Sequence, residues 1–207
     1  MQQGTVHIVD DDAPLRLALL RLCRSVGLEA VGHADASELL GGSDLGRPAC
    51  IVLDVRLDDK NGLDVQETIR SAGCTVPIIF LTGYGTIPMT VRAMRQGAIE
   101  FLEKPVDHDA FLDAIGRALA TDRAALEQRA AFERLSERLR SLTPRELDVM
   151  GYAIGGLMNK QIAGEIGVSE ITAKVHKRHV MEKMGARSLA DLVRIAGQLG
   201  ITPTRHR

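Results

Sequence analysis

The sequence contains no apolar run that approaches the ~20 residues a membrane-spanning helix requires. Its first residues, Met-Gln-Gln-Gly-Thr, lack the basic start and apolar core of a secretory signal. Cysteine is scarce, because the chain has only Cys23, Cys50 and Cys74, all in apolar segments. We expect small buried thiols rather than a disulfide framework or a zinc site. These absences favour a cytoplasmic protein that does not enter the membrane.

The net charge of −1 conceals two halves of opposite sign. Residues 1–122 carry 18 acidic and 11 basic side chains, whereas residues 123–207 carry 9 acidic and 15 basic ones. An acidic region favours a cation or phosphoryl chemistry, and a basic region favours a polyanion. The two halves are therefore expected to have different partners.

Short apolar runs alternate with amphipathic stretches over the first 120 residues or so. The runs IVLDV and PIIFLT are apolar at consecutive positions, which is typical of central strands buried on both faces. Five strands, each followed by a helix, predict a doubly wound five-stranded parallel sheet. The predicted strands are Val6–Val9, Ala30–Gly32, Cys50–Leu53, Val76–Leu81 and Ala98–Leu102. The predicted helices are Pro14–Val26, Ala36–Leu40, Leu63–Ala72, Met89–Gln96 and His108–Leu119.

Helical patterns continue through the rest of the chain. Residues 107–142 contain no proline and one glycine, so a long helical linker is expected. Asp122, Arg129 and Glu133 interrupt its heptad pattern, which leaves a coiled-coil dimer over Arg123–Leu142 and a solvated spacer helix equally open. Four further helices, at about 144–154, 159–166, 170–184 and 188–199, predict an all-α C-terminal domain, with a capping box from Thr143 to Glu146 and N-caps at Ser169 and Ser188. We expect domains at 1–121 and 141–207, joined by a linker at 122–140.

Polar side chains follow several predicted strands at their carboxyl ends, where open α/β sheets concentrate their chemistry. These side chains are Asp10, Asp11, Asp12, Asp54, Thr82 and Lys104. Clustered carboxylates need a cation, and their hard oxygen atoms favour Mg²⁺. A carboxylate beside Mg²⁺ can attack phosphorus to form an aspartyl phosphate, whose oxygens Thr82 and Lys104 would bind. An acidic run after a strand is also typical of a helix N-cap, and we expect that role for Asp12.

The first half resembles the response-regulator receiver family over residues 5–121. The stretches that carry the resemblance are VHIVDDD, CIVLDVR with Gly62 downstream, IIFLTGYG and AIEFLEKP. The resemblance implies that Asp54 is the phosphoacceptor and that Thr82 and Lys104 bind its phosphoryl group. It implies Mg²⁺ ligands at Asp10, Asp11, Asp54 and the backbone carbonyl of Arg56. It also implies that Phe101 turns inward when Thr82 shifts, and that Lys104-Pro105 is a cis peptide.

One loop departs from the receiver pattern. Where the family commonly has Met-Pro-Gly, this chain has Leu57-Asp58-Asp59. Two added negative charges beside a site for a dianion predict weaker phosphorylation, a shorter phosphoryl lifetime or altered Mg²⁺ affinity. A regulator that binds DNA without phosphorylation is therefore one alternative. Another is a haloacid-dehalogenase-type phosphatase, because Asp10-x-Asp12 resembles its DxD motif, although the usual following Thr and a late acidic pair are missing.

The segment MNKQIAGEIGVSEITAKVHKRHVMEKMGA has the pattern of a helix-turn-helix. Lys174, Val175 and Arg178 are predicted to point outward from its second helix. The residues predicted to point inward are Ala173, His176 or Lys177, Val180 and Met184. A cationic outer face fits the major groove, although the charges alone would also be typical of a solvated helix.

The second half resembles the LuxR/FixJ/NarL-type DNA-binding domain over about residues 138–201. SLTPRE, NKQIAGEIGVSEITAKVH and RSLADLV carry the resemblance, and IPMTVRAM in the first half brings the chain closest to the FixJ subgroup. The resemblance implies that Lys174, Val175 and Arg178 read bases. Candidates for phosphate contact are Thr172, Lys177, Asn159 and Lys160. For His176 and His179, packing or phosphate contact is expected rather than metal binding.

Together the two resemblances imply a two-component response regulator that is not an enzyme. A histidine kinase would phosphorylate Asp54 with Mg²⁺ as cofactor, and phosphorylation would remodel the surface at about Thr86–Phe101. The receivers would then form a homodimer that binds a roughly palindromic site in double-stranded DNA. RNA polymerase is the further partner that this function implies.

Overall fold

The computed structural model describes residues 4–41, 45–57, 60–83 and 86–204. The chain divides into two compact units, with the boundary between Leu126 and Glu127. Asp58 and Asp59, on which the expectation of altered phosphorylation depends, lie outside the described residues. The more detailed domain limits at residues 121 and 140 stay a prediction.

The first unit is built around a parallel sheet. The strands of this unit are β1 Thr5–Val9, β2 Glu29–His33, β3 Ala49–Asp54, β4 Arg56–Leu57, β5 Lys60–Asn61, β6 Ile78–Thr82 and β7 Glu100–Glu103. Five of them are parallel in the order β2-β1-β3-β6-β7, which confirms the predicted doubly wound sheet. The short antiparallel pair β4 and β5 was not predicted, because two-residue strands are too short to show an apolar alternation.

Helices cover both faces of this sheet. They are α1 Ala13–Ser25, α2 Ala36–Gly41, α3 Gly62–Ser71, α4 Ile87–Arg95 and α5 His108–Arg140. Along β3, Ile51 and Leu53 belong to the core on one face, and Cys50 and Val52 belong to the core on the other. Burial on both faces explains why the central strands are apolar at consecutive positions.

Several element boundaries differ from the predicted ones by about two residues. Strand β6 begins at Ile78 rather than Val76, since Pro77 has no amide hydrogen for the ladder. Strand β7 begins at Glu100 rather than Ala98, because the Ala98 amide donates to the carbonyl of Ala93 (3.1 Å) and so closes the end of α4. The three cysteines are free thiols, but Cys74 is only half-buried, contrary to expectation.

The long helix α5 confirms the helical linker. Asp122, which interrupts its apolar pattern, is buried and accepts hydrogen bonds from the Arg47 guanidinium and from the Ala49 amide (2.9 Å). Further along the helix, Leu135 and Leu139 pack against the core of the second unit. That packing uses two of the apolar positions that a coiled-coil dimer would need. No helix within the described residues is both long and apolar enough to span a bilayer.

The second unit is helical, as predicted. After the end of α5 it contains α6 Pro144–Ile154, α7 Asn159–Ile166, α8 Glu170–Met184 and α9 Leu189–Gln198. Gly167 caps the C-terminus of α7, and its φ of 69° is the left-handed conformation that glycine adopts without strain. The predicted N-caps at Ser169 and Ser188 are confirmed, since each side chain accepts a backbone N–H in the following turn.

The predicted capping box at the start of α6 includes a buried carboxylate. The Thr143 amide donates to Glu146 Oε2 (2.8 Å), and the Glu146 amide donates to Thr143 Oγ1 (3.3 Å). Lys183 Nζ, from the last turn of α8, also donates to Glu146 Oε2 at 2.6 Å. The Lys183 hydrogen bond is the main cause that lowers the pKa of Glu146 to about 2. One carboxylate thus joins the start of α6 to the end of α8.

We expect Glu146→Gln to lower the free energy of unfolding of the second unit by about 1.5 kcal/mol near neutral pH, because a charge-assisted hydrogen bond becomes a neutral one. Since the pKa is lower in the folded state, the carboxylate stabilises the unit fully above its ordinary value of 4.5. That stabilisation is lost as the pH falls from there towards about 2. Urea unfolding, followed by NMR signals of α8 over this pH range, measures the difference.

Asp148→Asn is the matched control, because Asp148 is an exposed acid on the same helix. Its unfolding free energy should follow the wild type closely at every pH. A wild-type advantage over Glu146→Gln that stays constant throughout the acid range would contradict the assignment.

Candidate functional site

One lysine joins the carboxyl ends of two central strands. Lys104 follows β7, and its Nζ lies 2.8 Å from Oδ2 of Asp10 and 2.6 Å from Oδ2 of Asp54. Asp10 follows β1 and Asp54 ends β3, and both are buried. The structure therefore brings together three side chains that the sequence separates by up to 94 positions.

The charges of this group depend on one another. Burial raises the pKa of Asp10, although the hydrogen bond and positive charge of Lys104 oppose the rise. Burial also disfavours the charged form of Lys104, but its hydrogen bonds to Asp10 and Asp54 outweigh that effect and raise its pKa. Lys104 is therefore a cation that offsets part of the charge of two buried carboxylates.

Asp11 completes an acidic cluster with Asp10 and Asp54. One carboxylate oxygen of each lies within 4.8 Å of the others. Backbone amides hold two of these carboxylates: Asp10 Oδ1 accepts from the Asp12 amide (2.9 Å), and Asp54 Oδ1 accepts from the Arg56 amide (3.1 Å). Convergent carboxylate oxygens are the donor set that Mg²⁺ prefers, so the residues present fit this ion.

Asp12 has the separate role predicted for it. Its side chain caps α1 by accepting a hydrogen bond from the Leu15 amide (3.2 Å). The acidic run after β1 thus divides into two residues of the cluster and one helix cap.

Thr82 is buried at the end of β6, one strand away from Asp54. Its carbonyl accepts a hydrogen bond from the Lys104 amide (2.7 Å). Two residues before Thr82 on β6, Phe80 lies opposite Phe101 of β7, and their ring centroids are 6.0 Å apart. Phe101 is half-buried against the core. The predicted switch residues Thr82 and Phe101 therefore lie on paired strands that both lead to the acidic cluster, and the Lys104-Pro105 peptide is cis, as expected.

Gly62 has a structural role that the sequence alone did not explain. Its amide donates to the carbonyl of Val55 (2.8 Å), which draws the start of α3 against the end of β3. A Cβ at this position would lie 2.3 Å from the carbonyl oxygen of Asp54 and 2.9 Å from the Cα of Val55. Only glycine permits so close an approach. A glycine shortly after a strand-end aspartate was the available signal, but the contact it permits depends on the fold.

A second candidate surface lies on α8. Lys174, Val175 and Arg178 are exposed, as predicted, and lie on one face of the helix. On the opposite face Ala173, Val180 and Met184 are buried. His176 and Lys177, one of which was expected to point inward, are each half-buried.

The candidate phosphate contacts are less uniform. Lys160 and Thr172 are exposed, whereas Lys177 and Asn159 are half-buried. Thr172 Oγ1 lies 2.8 Å from Ser169 Oγ, so this hydroxyl already helps to cap α8. Asn159 Oδ1 is buried and has no hydrogen-bond partner within the part of the chain that the structure describes. Lys160 is thus the candidate whose charge is most accessible.

Both ends of α8 are held by polar contacts. At its start, Ser169 Oγ accepts from the Thr172 amide (3.1 Å). At its end, Arg138 donates to the carbonyl of Met184 (3.2 Å), and Lys183 donates to the carbonyl of Ser141 (3.1 Å). The helix is therefore fixed by its termini, while the face with Lys174 stays open to solvent.

The response regulator receiver domain family matches residues 6–116, and the LuxR family of bacterial regulatory proteins matches residues 140–196. Nodulation protein W of Bradyrhizobium diazoefficiens is 47% identical over 97% of this chain and 88% of that protein. Transcriptional regulatory protein FixJ of Azorhizobium caulinodans is 38% identical over 96% of this chain and 94% of that protein. Among solved structures, the response regulator StyR is 43% identical with a TM-score of 0.86, and the match covers 94% of this chain and 98% of that one.

We expect Gly62→Ala to destabilise the first unit by about 1–3 kcal/mol, because the new Cβ must push α3 away from the backbone of Asp54. Amide exchange in β3 and α3 of the full chain measures the loss. Gly164→Ala is the control: Gly164 lies inside α7, and a Cβ there meets no described atom within 4 Å. That variant should be neutral or slightly stabilising, and equal behaviour of the two variants would contradict the steric argument.

Proposed function

Because the chain belongs to the response regulators with a receiver domain and a LuxR-type DNA-binding domain, we propose how its two units divide the work of a phosphorylation-controlled switch. The protein is a transcriptional response regulator, and its family consists of DNA-binding regulators rather than enzymes. The alternative of a haloacid-dehalogenase-type phosphatase that uses Asp10 is therefore wrong.

The first unit accepts a phosphoryl group on Asp54 from a histidine kinase. The observation that carries this assignment is the position of Lys104 Nζ between Asp10 and Asp54, in a cluster that Asp11 completes. Receiver domains generally bind Mg²⁺ at their acidic pocket. In this chain Asp10, Asp11, Asp54 and the carbonyl of Arg56 would hold the ion. The ion would offset negative charge while an Asp54 oxygen bonds to phosphorus and the bond between phosphorus and the kinase's histidine nitrogen breaks, leaving the histidine on the kinase.

Lys104 and Thr82 act on the phosphoryl group itself. Lys104 already donates to the Asp54 oxygen, so a short movement transfers that hydrogen bond to a phosphoryl oxygen. The Thr82 hydroxyl donates to a second phosphoryl oxygen.

Phosphorylation of Asp54 then changes the surface of the first unit. Movement of Thr82 towards the phosphoryl group allows Phe101 to turn inward on the neighbouring strand. Helix α4 carries exposed apolar side chains at Ile87, Val91 and Met94, spaced along one face. Covering this face in a homodimer would bury them and bring two DNA-binding units together.

The second unit binds double-stranded DNA through α8. Lys174, Val175 and Arg178 enter the major groove and read bases, and the half-sites form a roughly palindromic sequence. Thr172, Lys177, Asn159 and Lys160 contact phosphates around them. A protein that binds DNA in this way acts in the cytoplasm. Its further partner there is RNA polymerase.

Asp54→Asn should abolish the effect of a phosphodonor on DNA binding. We expect wild-type protein with Mg²⁺ and a small-molecule phosphodonor to protect genomic fragments at lower concentration than without the donor. The variant should require the same concentration in both conditions. Quantitative footprinting measures this, with Asp64→Asn as the control, since Asp64 is an exposed acid outside the cluster.

A wild type that protects the same fragments equally with and without the donor would favour the alternative, a regulator that binds DNA independently of phosphorylation. Protection by neither protein would reject DNA binding itself.

Lys174→Ala and Arg178→Ala should each relax sequence preference, at a cost of about 1–3 kcal/mol on the preferred site. Lys160→Ala should instead weaken binding to all sequences and reduce the steepness of its salt dependence by about one charge. Anisotropy titrations on preferred and scrambled duplexes at several salt concentrations measure both effects. Arg194→Ala, an exposed arginine on α9, is the control. A uniform loss of affinity in Lys174→Ala and Arg178→Ala would mean that these residues contact only the DNA backbone.

A further inference from the structure

An aliphatic side chain stands in solvent at the start of α8. Ile171 is 77% exposed in the first turn of that helix. Single exposed aliphatic residues are common on protein surfaces, so the exposure alone indicates nothing. The position of Ile171 relative to the other outward residues of α8 is what distinguishes it.

Ile171 lies on the face assigned to base reading. It precedes Lys174 by three residues, Val175 by four and Arg178 by seven, which is the spacing of one side of a helix. At 3.6 residues per turn, these four side chains fall within an arc of about 100°. Ile171 therefore extends the outward face of α8 by one turn towards its N-terminus.

The first turn of α8 is also held in place. The Ser169 side chain accepts from the Thr172 amide at 3.1 Å, and the two hydroxyls lie 2.8 Å apart. In helix-turn-helix proteins, the N-terminal residues of the recognition helix are those that meet base edges. Ile171 is thus presented where a bound duplex would come closest to the helix.

Its chemistry selects the group that it could recognise. An isoleucine side chain has no hydrogen-bond donor or acceptor, and the apolar group that the major groove offers is the C5-methyl of thymine. Val175, 37% exposed, is the second aliphatic residue on the same face. Ile171 and Val175 are four residue steps apart, a rise of about 6 Å along the helix, or about two base-pair steps. Lys174 and Arg178 on the same face favour the approach of a polyanion.

We propose that Ile171 is a further specificity-determining residue, which contacts a thymine methyl about two base pairs from the thymine that Val175 contacts. This inference rests on the proposed function, because it requires α8 to enter the major groove. The preferred half-site then contains two thymines whose methyl groups are recognised separately, one by each aliphatic side chain.

Replacement of single thymines by deoxyuridine tests the proposal, since it removes only the methyl group. The probe is a duplex selected by the full-length wild-type protein from a randomised pool, and each thymine in it is replaced in turn. We expect two positions per half-site at which the replacement lowers wild-type affinity about fourfold, the value of one buried methyl group. Ile171→Ala should lose the sensitivity at one position and keep it at the other, and Val175→Ala should show the reverse.

Leu147→Ala is the matched control, because Leu147 is an exposed aliphatic residue on α6. It should reproduce the wild-type profile. Equal helical content and thermal midpoint of all variants would show that they fold.

The inference is overturned if Ile171→Ala keeps sensitivity at both positions, whether its affinity is unchanged or uniformly lower. It is also overturned if no thymine of the selected duplex is sensitive in the wild type. If the wild type selects no duplex at all, the proposed function fails together with it, so the two failures are distinguishable.

Discussion

The first unit depends on one ammonium group placed between two buried carboxylates. Without Lys104, Asp10 and Asp54 would repel each other in a site that water reaches poorly, and both strand ends would lose a polar partner. Lys104 follows β7 at the edge of the sheet, and its side chain reaches Asp54 at the end of β3 and Asp10 after β1. In the proposed function, the same amino group would follow a new negative charge on Asp54, so that stability and signalling would share one contact.

The second unit is subject to a different constraint: one face of α8 is exposed to solvent, so other contacts must fix the orientation of the helix. A helix that offers one whole face to a partner cannot bury that face for stability. Here Ala173, Val180 and Met184 on the opposite face pack into the core. Polar contacts at the two ends of the helix fix its orientation further. Ser169 caps the start of α8, while Arg138 and Glu146 hold its last turn through Met184 and Lys183. Because these contacts lie at the ends of α8, its exposed face stays accessible to a binding partner.

Most elements of the fold could be predicted because their patterns are local. The apolar runs of β3 and β6, the Thr143–Glu146 capping box and the glycine after α7 each depend on residues a few positions apart. Local patterns did not show contacts between distant residues. Asp122 does interrupt the apolar repeat, but its role as a buried partner of Arg47, 75 residues away, was not predicted. Ala98 looked like the start of a strand but closes the preceding helix.

The sequence by itself determined the fold class of both units, the strand-end acids and the outward face of α8, because periodicity and residue chemistry are read along the chain. Only the tertiary structure decided which of those acids meet and what holds them. Asp10 and Asp54 follow or end different strands, yet both carboxylates accept a hydrogen bond from the one amino group of Lys104. The tertiary structure also decided that residue 62 must be glycine, because a Cβ there would overlap the Asp54 carbonyl. These outcomes depend on distances between residues far apart in the chain, and such distances exist only once the sheet has formed.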